Sequence, residues 1–203
     1  MSKKIDKEFV TLWSERLTHM LVLGFLGVIF SLPVFTVGAS MSAMHKAMML
    51  YVVQEDKKIF RNYFSAFKTY FKQSTLIWII NLVLILVLSF DLLFYGESSS
   101  WIQILGTTIV TISLMVIVYE MTMSFVIVPA QLTQGVKQTI IISLHFGLKC
   151  PYYALMMLIL HLVIPGLLIL FMVPILVFVP GILSYLSWQF LPKAFEYYQK
   201  KCL

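Results

Sequence analysis

Two apolar runs lying almost end to end decide most of what this chain can become. Residues 75–95, TLIWIINLVLILVLSFDLLFY, and 101–129, WIQILGTTIVTISLMVIVYEMTMSFVIVP, hold one charged side chain each, Asp91 and Glu120. Either run exceeds the roughly 18 to 20 apolar residues that a helix needs to cross about 30 Å of hydrocarbon. With only 96–100 between them they make a hairpin, Trp101 anchoring its outer interface and Pro129 marking the inner helix end. Composition agrees: 60% of the 203 residues are hydrophobic and 12% charged, against about 45 to 50% and about 25% in soluble domains. No linker, charged tail or repeat divides the chain, so residues 1–203 read as a single integral membrane domain, an all-α polytopic bundle.

Charge placement sets the orientation. All 15 Lys and Arg fall in four segments: four in 1–16, six in 39–74, two in 130–151 and three in 191–203. The segment 91–100, DLLFYGESSS, has none and carries Asp91 and Glu97. Basic residues collect in cytoplasmic loops during insertion, which places 91–100 outside and both termini inside. The net charge of +6 therefore reads as topology and contact with anionic lipids of the cytoplasmic leaflet, not as a nucleic-acid surface.

The same rule bears on the ends of the chain. One continuous helix over Tyr152–Trp188 would reach about 55 Å, so 152–190 is expected to be a membrane pair that turns near 170–174. If 17–38 were one simple span, residues 1–16 or the six cations of 39–74 would lie outside. A hairpin or re-entrant pair over 17–53, reversing at SLPVFTVGAS (31–40), keeps both inside. Pro33 cannot continue a helix, Gly38 permits the reversal, and Thr36 or Ser40 can cap the next helix. Ala39, Ala43 and Ala47 then form a small-residue face on the second arm. In IFRNYFSAFKTYFKQS the aromatics Phe60, Tyr63, Phe64, Phe67, Tyr70 and Phe71 recur at helical spacing, the pattern of an interfacial helix over 59–73. Residues 137–149 are a weaker second example. The sum is about five or six membrane-embedded helices plus one or two cytoplasmic interfacial amphipathic helices.

Acidic Asp6, Glu8 and Glu15 in the basic start argue against a cleaved signal peptide. Cys150 and Cys202 both belong to the cytoplasmic side, where no disulfide is expected, and neither has a CxxC partner. Phosphate-loop, HExxH and GxSxG signatures are absent, as is the cytoplasmic motif by which many permeases engage an ATPase.

What remains is the polar inventory inside the apolar stretches, where ionisable groups are expensive and so carry a reason for being there. Counted at 1.5 Å per residue, Glu120 and His161 lie about 15 Å deep, His45 and Lys46 about 12 to 14 Å and Asn81 about 9 Å. Lys46, Asn81, Glu120 and His161 can form one layer, with Ser113 and Ser124 on the Glu120 face. A functional reading makes Glu120 an acid partnered by His161 or Lys46. A structural reading makes Lys46–Glu120 an ion pair, and it is favoured because any spanning acid needs a partner. His19 and His145 read as ordinary polar-face residues, and no histidine has metal-ligand spacing with another.

The run LVLGFLGVIFSLPVFTVGAS, followed by RNYFSAFKTYFKQSTLIWII, resembles the YesL-like family of small bacterial membrane proteins, a domain of unknown function, over about residues 20–80. That resemblance implies an association with carbohydrate uptake and supplies no catalytic residues. The expectation is a non-enzymatic accessory component without cofactor or metal. Its partners would be the lipid bilayer and carbohydrate transporter components or a second copy of itself. The alternative is a small-solute or ion-coupled transporter using the Glu/His/Lys layer.

Overall fold

A computed structural model describes residues 2–95, 100–130, 135–163 and 179–202. All regular structure among them is helical: α1 (Ser2–Ser31), a short 3-10 turn (Val34–Thr36), α2 (Val37–Gln54), α3 (Ile59–Tyr95), α4 (Trp101–Ile127) and α5 (Val136–Lys149). Next come α6 (Pro151–Leu158), which runs on into a π turn (Ile159–Val163), and α7 (Val179–Cys202). The turn expected near 170–174 lies outside the described residues.

The central element is α2, which touches α1, α3, α4 and α7. Its sequence explains the position. Gly38, Ala39, Ser40, Ser42, Ala43 and Ala47 are all buried, and such small side chains let backbones approach where bulkier ones would hold them apart. At Gly38 the approach is closest: a Cβ there would stand 2.4 Å from the Ser74 carbonyl oxygen of α3 and 2.7 Å from Trp78 Cβ. No glycine among the described residues has a positive φ. Gly38 therefore serves α2–α3 packing, not the chain reversal. The α1–α7 crossing uses the same device, since a Cβ on Gly181 would collide with the Met20 carbonyl.

The reversal itself occupies 32–36. Thr36 stands at the N-cap position of α2 but makes no side-chain cap bond; its hydroxyl turns back to donate to the carbonyls of Phe30 (2.6 Å) and Pro33 (2.7 Å). The Phe30 carbonyl belongs to the open C-terminal end of α1, where backbone oxygens need donors in a medium without water; the Pro33 carbonyl, two residues further on, also accepts from the Thr36 N–H at 2.9 Å. Ser40 is no cap either. Its hydroxyl crosses to the Gly27 carbonyl of α1 at 2.8 Å and pairs with Tyr63 of α3 at 2.8 Å. Ser74 donates to Ser42 at 2.8 Å, and the Trp78 indole donates to the Val34 carbonyl at 2.7 Å. The motif residues thus stitch α1, α2 and α3 together.

Expectation and structure part over residues 59–73. They do not form a separate interfacial helix but are the first turns of α3, a single helix of 37 residues. No Pro or Gly interrupts 59–95, so nothing breaks the hydrogen-bond ladder where the amphipathic pattern gives way to the apolar one. At about 55 Å this helix outreaches the hydrocarbon layer. Tyr63, Ala66 and Tyr70 face the core while Phe60 and Phe64 are exposed.

The count of spans also differs. Among the described residues two helices, α3 and α4, are long and apolar enough to cross a membrane; α5 and α6, bent by 109°, make a third if the pair counts as one. This is fewer than the five or six expected. Polar and small residues occupy much of α2, and the middle of the C-terminal apolar stretch lies outside the described residues. Beyond the body of the bundle the outer parts of α3 and α4 bury almost none of their apolar surface, as Leu86, Phe90, Trp101, Ile102, Leu105 and Ile109 show with exposures of 61 to 81%.

Candidate functional site

The polar groups expected in one layer fall into three separate settings. Glu120, on α4, is 5% exposed. Its Oε1 accepts hydrogen bonds from Ser124 Oγ at 2.5 Å and, across to α5, from Ser143 Oγ at 3.3 Å. Asn81 of α3, also buried, lies near enough to the same carboxyl to act on it, and its side-chain amide donates to the Ile77 carbonyl at 3.0 Å. The layer therefore keeps Asn81 with Glu120 and adds Ser143, whose segment had read as an interfacial helix. Ser113 stays apart, its hydroxyl bonded to the Ile109 carbonyl of its own helix.

Lys46 does not meet Glu120. Its Nζ donates to the Pro129 carbonyl at 2.9 Å, just past the C-terminal end of α4, where backbone oxygens lack intrahelical donors and the helix dipole favours a cation. The separation has a physical reason: Glu120 lies two turns before that end and accepts from the hydroxyls of Ser124 on α4 and Ser143 on α5.

The third setting joins His161 to His45. The two rings, from the π turn that continues α6 and from α2, lie with centroids 6.1 Å apart. His45 is 3% exposed and its Nδ1 bonds Ser184 of α7 at 3.2 Å. His161 Nδ1 lies 3.1 Å from the Met157 carbonyl; a carbonyl only accepts, so this nitrogen carries the proton and Nε2 holds the lone pair. Both rings line a cavity of about 390 Å³ between α2, α3, α4, α6 and α7, whose other walls include Met41, Trp78, Met121 and Phe125. A sequence scan for ligand spacing misses this pair because its members come from helices far apart in the chain.

At the other end of α2 the chain turns through Glu55 and Asp56. Asp56 accepts from the Lys58 backbone N–H and the Asn62 amide, each at 3.0 Å, which holds its carboxyl below the ordinary range. Nearby Lys57 pairs with Glu15 of α1 at 2.6 Å, beside a cleft of about 270 Å³ lined by Arg16, Tyr51, Glu55 and Tyr185 among others.

Comparison with known proteins adds one match. A family described as a protein of unknown function, DUF624, matches residues 17–92, a stretch that takes in the second half of α1, the reversal, α2 and nearly all of α3. The hydrogen bonds joining Gly27, Ser40 and Tyr63, and Ser42 with Ser74, all fall inside it. No curated protein and no solved structure matches the chain. The class defined by fold and match is a helical membrane-type protein similar to a family of unknown function.

Proposed function

We propose that this is a multi-pass protein of the cell membrane that works as a non-enzymatic accessory component, through contact with another membrane protein. The observation that carries this reading is the outer part of the α3–α4 hairpin, which projects from the bundle with apolar side chains exposed on its sides. On α4 this part also bears Gly106, Thr107, Thr108 and Thr111. The threonine hydroxyls are satisfied by carbonyls of their own helix, so these positions offer small, non-polar-behaving surfaces on which a second helix can pack closely. The distribution of Lys and Arg supports cytoplasmic termini and an outer hairpin tip. The resemblance of residues 20–80 to the YesL-like family supports carbohydrate uptake as the process served, with transporter components or a second copy as partner.

The transporter alternative draws on a single Glu/His/Lys layer, and it has less support. Lys46, Glu120 and His161 each have their own neighbours, on different helices. Purification of the tagged chain from its own membranes in mild detergent, with the bound proteins quantified, tests the proposal. A stoichiometric membrane partner or a defined oligomer is expected. A chain that purifies as a lone monomer, and that moves an ion or solute in proteoliposomes, would overturn the reading.

A further inference from the structure

We propose that His45 and His161, with the thioethers of Met41 and Met121, form a binding site for a soft monovalent metal ion, Cu(I). The first ground is the state of the two rings. Each engages the protein through Nδ1, the arrangement in which a backbone carbonyl or hydroxyl orients a ligating histidine and leaves Nε2 for a metal. For His161 the Met157 carbonyl fixes that tautomer outright. For His45 the Ser184 hydroxyl can donate or accept, and metal binding selects the form in which Nδ1–H donates to it.

The second ground is distance. Two metal–nitrogen bonds of about 2 Å and two ring radii of about 1.1 Å put the ring centroids about 5 Å apart at a tetrahedral angle and about 6 Å apart when collinear. The rings stand 6.1 Å apart, so the separation admits an ion between them once each Nε2 turns inward. Both rings already border one cavity, large enough for the ion and for movement of the side chains.

The third ground is the donor set, which selects the metal. Met41 lies one helical turn before His45 on α2, hence on the same face, and Met121 brings a second thioether from α4; both line the cavity. Imidazole and thioether together favour Cu(I), whereas carboxylate and carbonyl oxygens suit harder ions. All four donors are neutral, and among the described residues no Asp, Glu, Lys or Arg lines the cavity. Lys46, next to His45, is drawn off to Pro129, and Glu120, next to Met121, is held by Ser124 and Ser143. Without a carboxylate to offset its charge, a divalent ion meets a far larger desolvation cost there than a monovalent one.

The test uses the tag-free full chain in detergent micelles, titrated anaerobically with Cu(I) against the chromophoric chelator bicinchoninate. One equivalent should be withdrawn from the chelator, with both nitrogen and sulfur scattering in the X-ray absorption spectrum, and a tenfold excess of Zn(II) should not displace it. His45→Asn and His161→Asn should each weaken binding at least tenfold. Met41→Leu combined with Met121→Leu should remove the sulfur scattering, while His19→Asn and His145→Asn leave the titration unchanged. Gel filtration and thermal melting establish that each variant is assembled; if His45→Asn is not, His161→Asn decides alone. Failure of the wild type to compete with the chelator would overturn the proposal, as would binding that survives loss of His161 or is displaced by Zn(II).

Discussion

Lys46 Nζ lies 2.9 Å from the carbonyl oxygen of Pro129, so the cation of the central helix closes the end of α4 and does not neutralise the acid inside it. Charge in the bundle interior is thereby managed in two independent ways. Glu120 takes hydroxyl donors, and Lys46 takes a backbone acceptor. Independence of this kind can be measured. Lys46→Met leaves a helix-end carbonyl without its donor and should cost about 1 kcal/mol, with Glu120→Gln costing a similar amount through altered bonds to Ser124 and Ser143. The two losses should add, with a coupling below about 0.5 kcal/mol in a double-mutant cycle read by denaturation in detergent. Rescue of either variant by the other would restore the ion pair that the sequence alone favoured.

Close helix approach at Gly38 makes a second prediction, with its own control. Even Ala places a Cβ 2.4 Å from the Ser74 carbonyl, and backbone cannot yield as a side-chain tip can. Gly38→Ala should destabilise by about 1 to 3 kcal/mol, and Gly38→Leu by more. At Gly135 no atom of the described residues lies within 4 Å of an added Cβ, so Gly135→Ala should cost far less than Gly38→Ala. Thermal melts of the three variants decide the point, and a Gly38→Ala protein as stable as wild type would be incompatible with the α2–α3 contact.

The α2–α3 corner should weaken in acid. The Lys58 N–H, then the Asn62 amide, with Lys58 and Arg61 as nearby cations, lower the folded-state pKa of Asp56 below its ordinary 3.8. A lowered pKa means that the contribution is fully present above the unfolded value and is lost as pH falls through the folded one. Hydrogen exchange at the first turn of α3, corrected for the intrinsic pH dependence, should lose protection below about pH 4. Asp56→Asn should abolish that change. Protection that is flat with pH in the wild type would contradict the arrangement.

How far residues speak for themselves depends on whether their partners are local. Pro33 stops α1 within a few residues, and the apolar runs on either side of 96–100 announce a hairpin, because both signals act along the chain. The continuity of α3 was equally local, written in the lack of any Pro or Gly between 59 and 95; the shift from amphipathic to apolar pattern there suggested a boundary that the backbone does not have. Ser143 and Glu120, or His45 and His161, are another matter. Each pair meets only because separate helices pack, and depth counted in residues places side chains at a level without saying which way they face. That is why Lys46, counted to nearly the depth of Glu120, instead closes the end of α4 at Pro129.

The central claim is that the protein works through helices that dock on the outer part of the α3–α4 hairpin, and crosslinking from that surface tests it most directly. A photoreactive benzoylphenylalanine replaces Ile109 or Ile112 on α4, Val87 on α3, or, as a buried control, Val126, and native membranes are then irradiated. The account predicts a discrete protein adduct, either to one other membrane protein or to a second copy of the chain. It should arise from one or more of the exposed positions and not from Val126. Outer positions that yield only lipid adducts, in a protein shown to be assembled and at its native level, would contradict it.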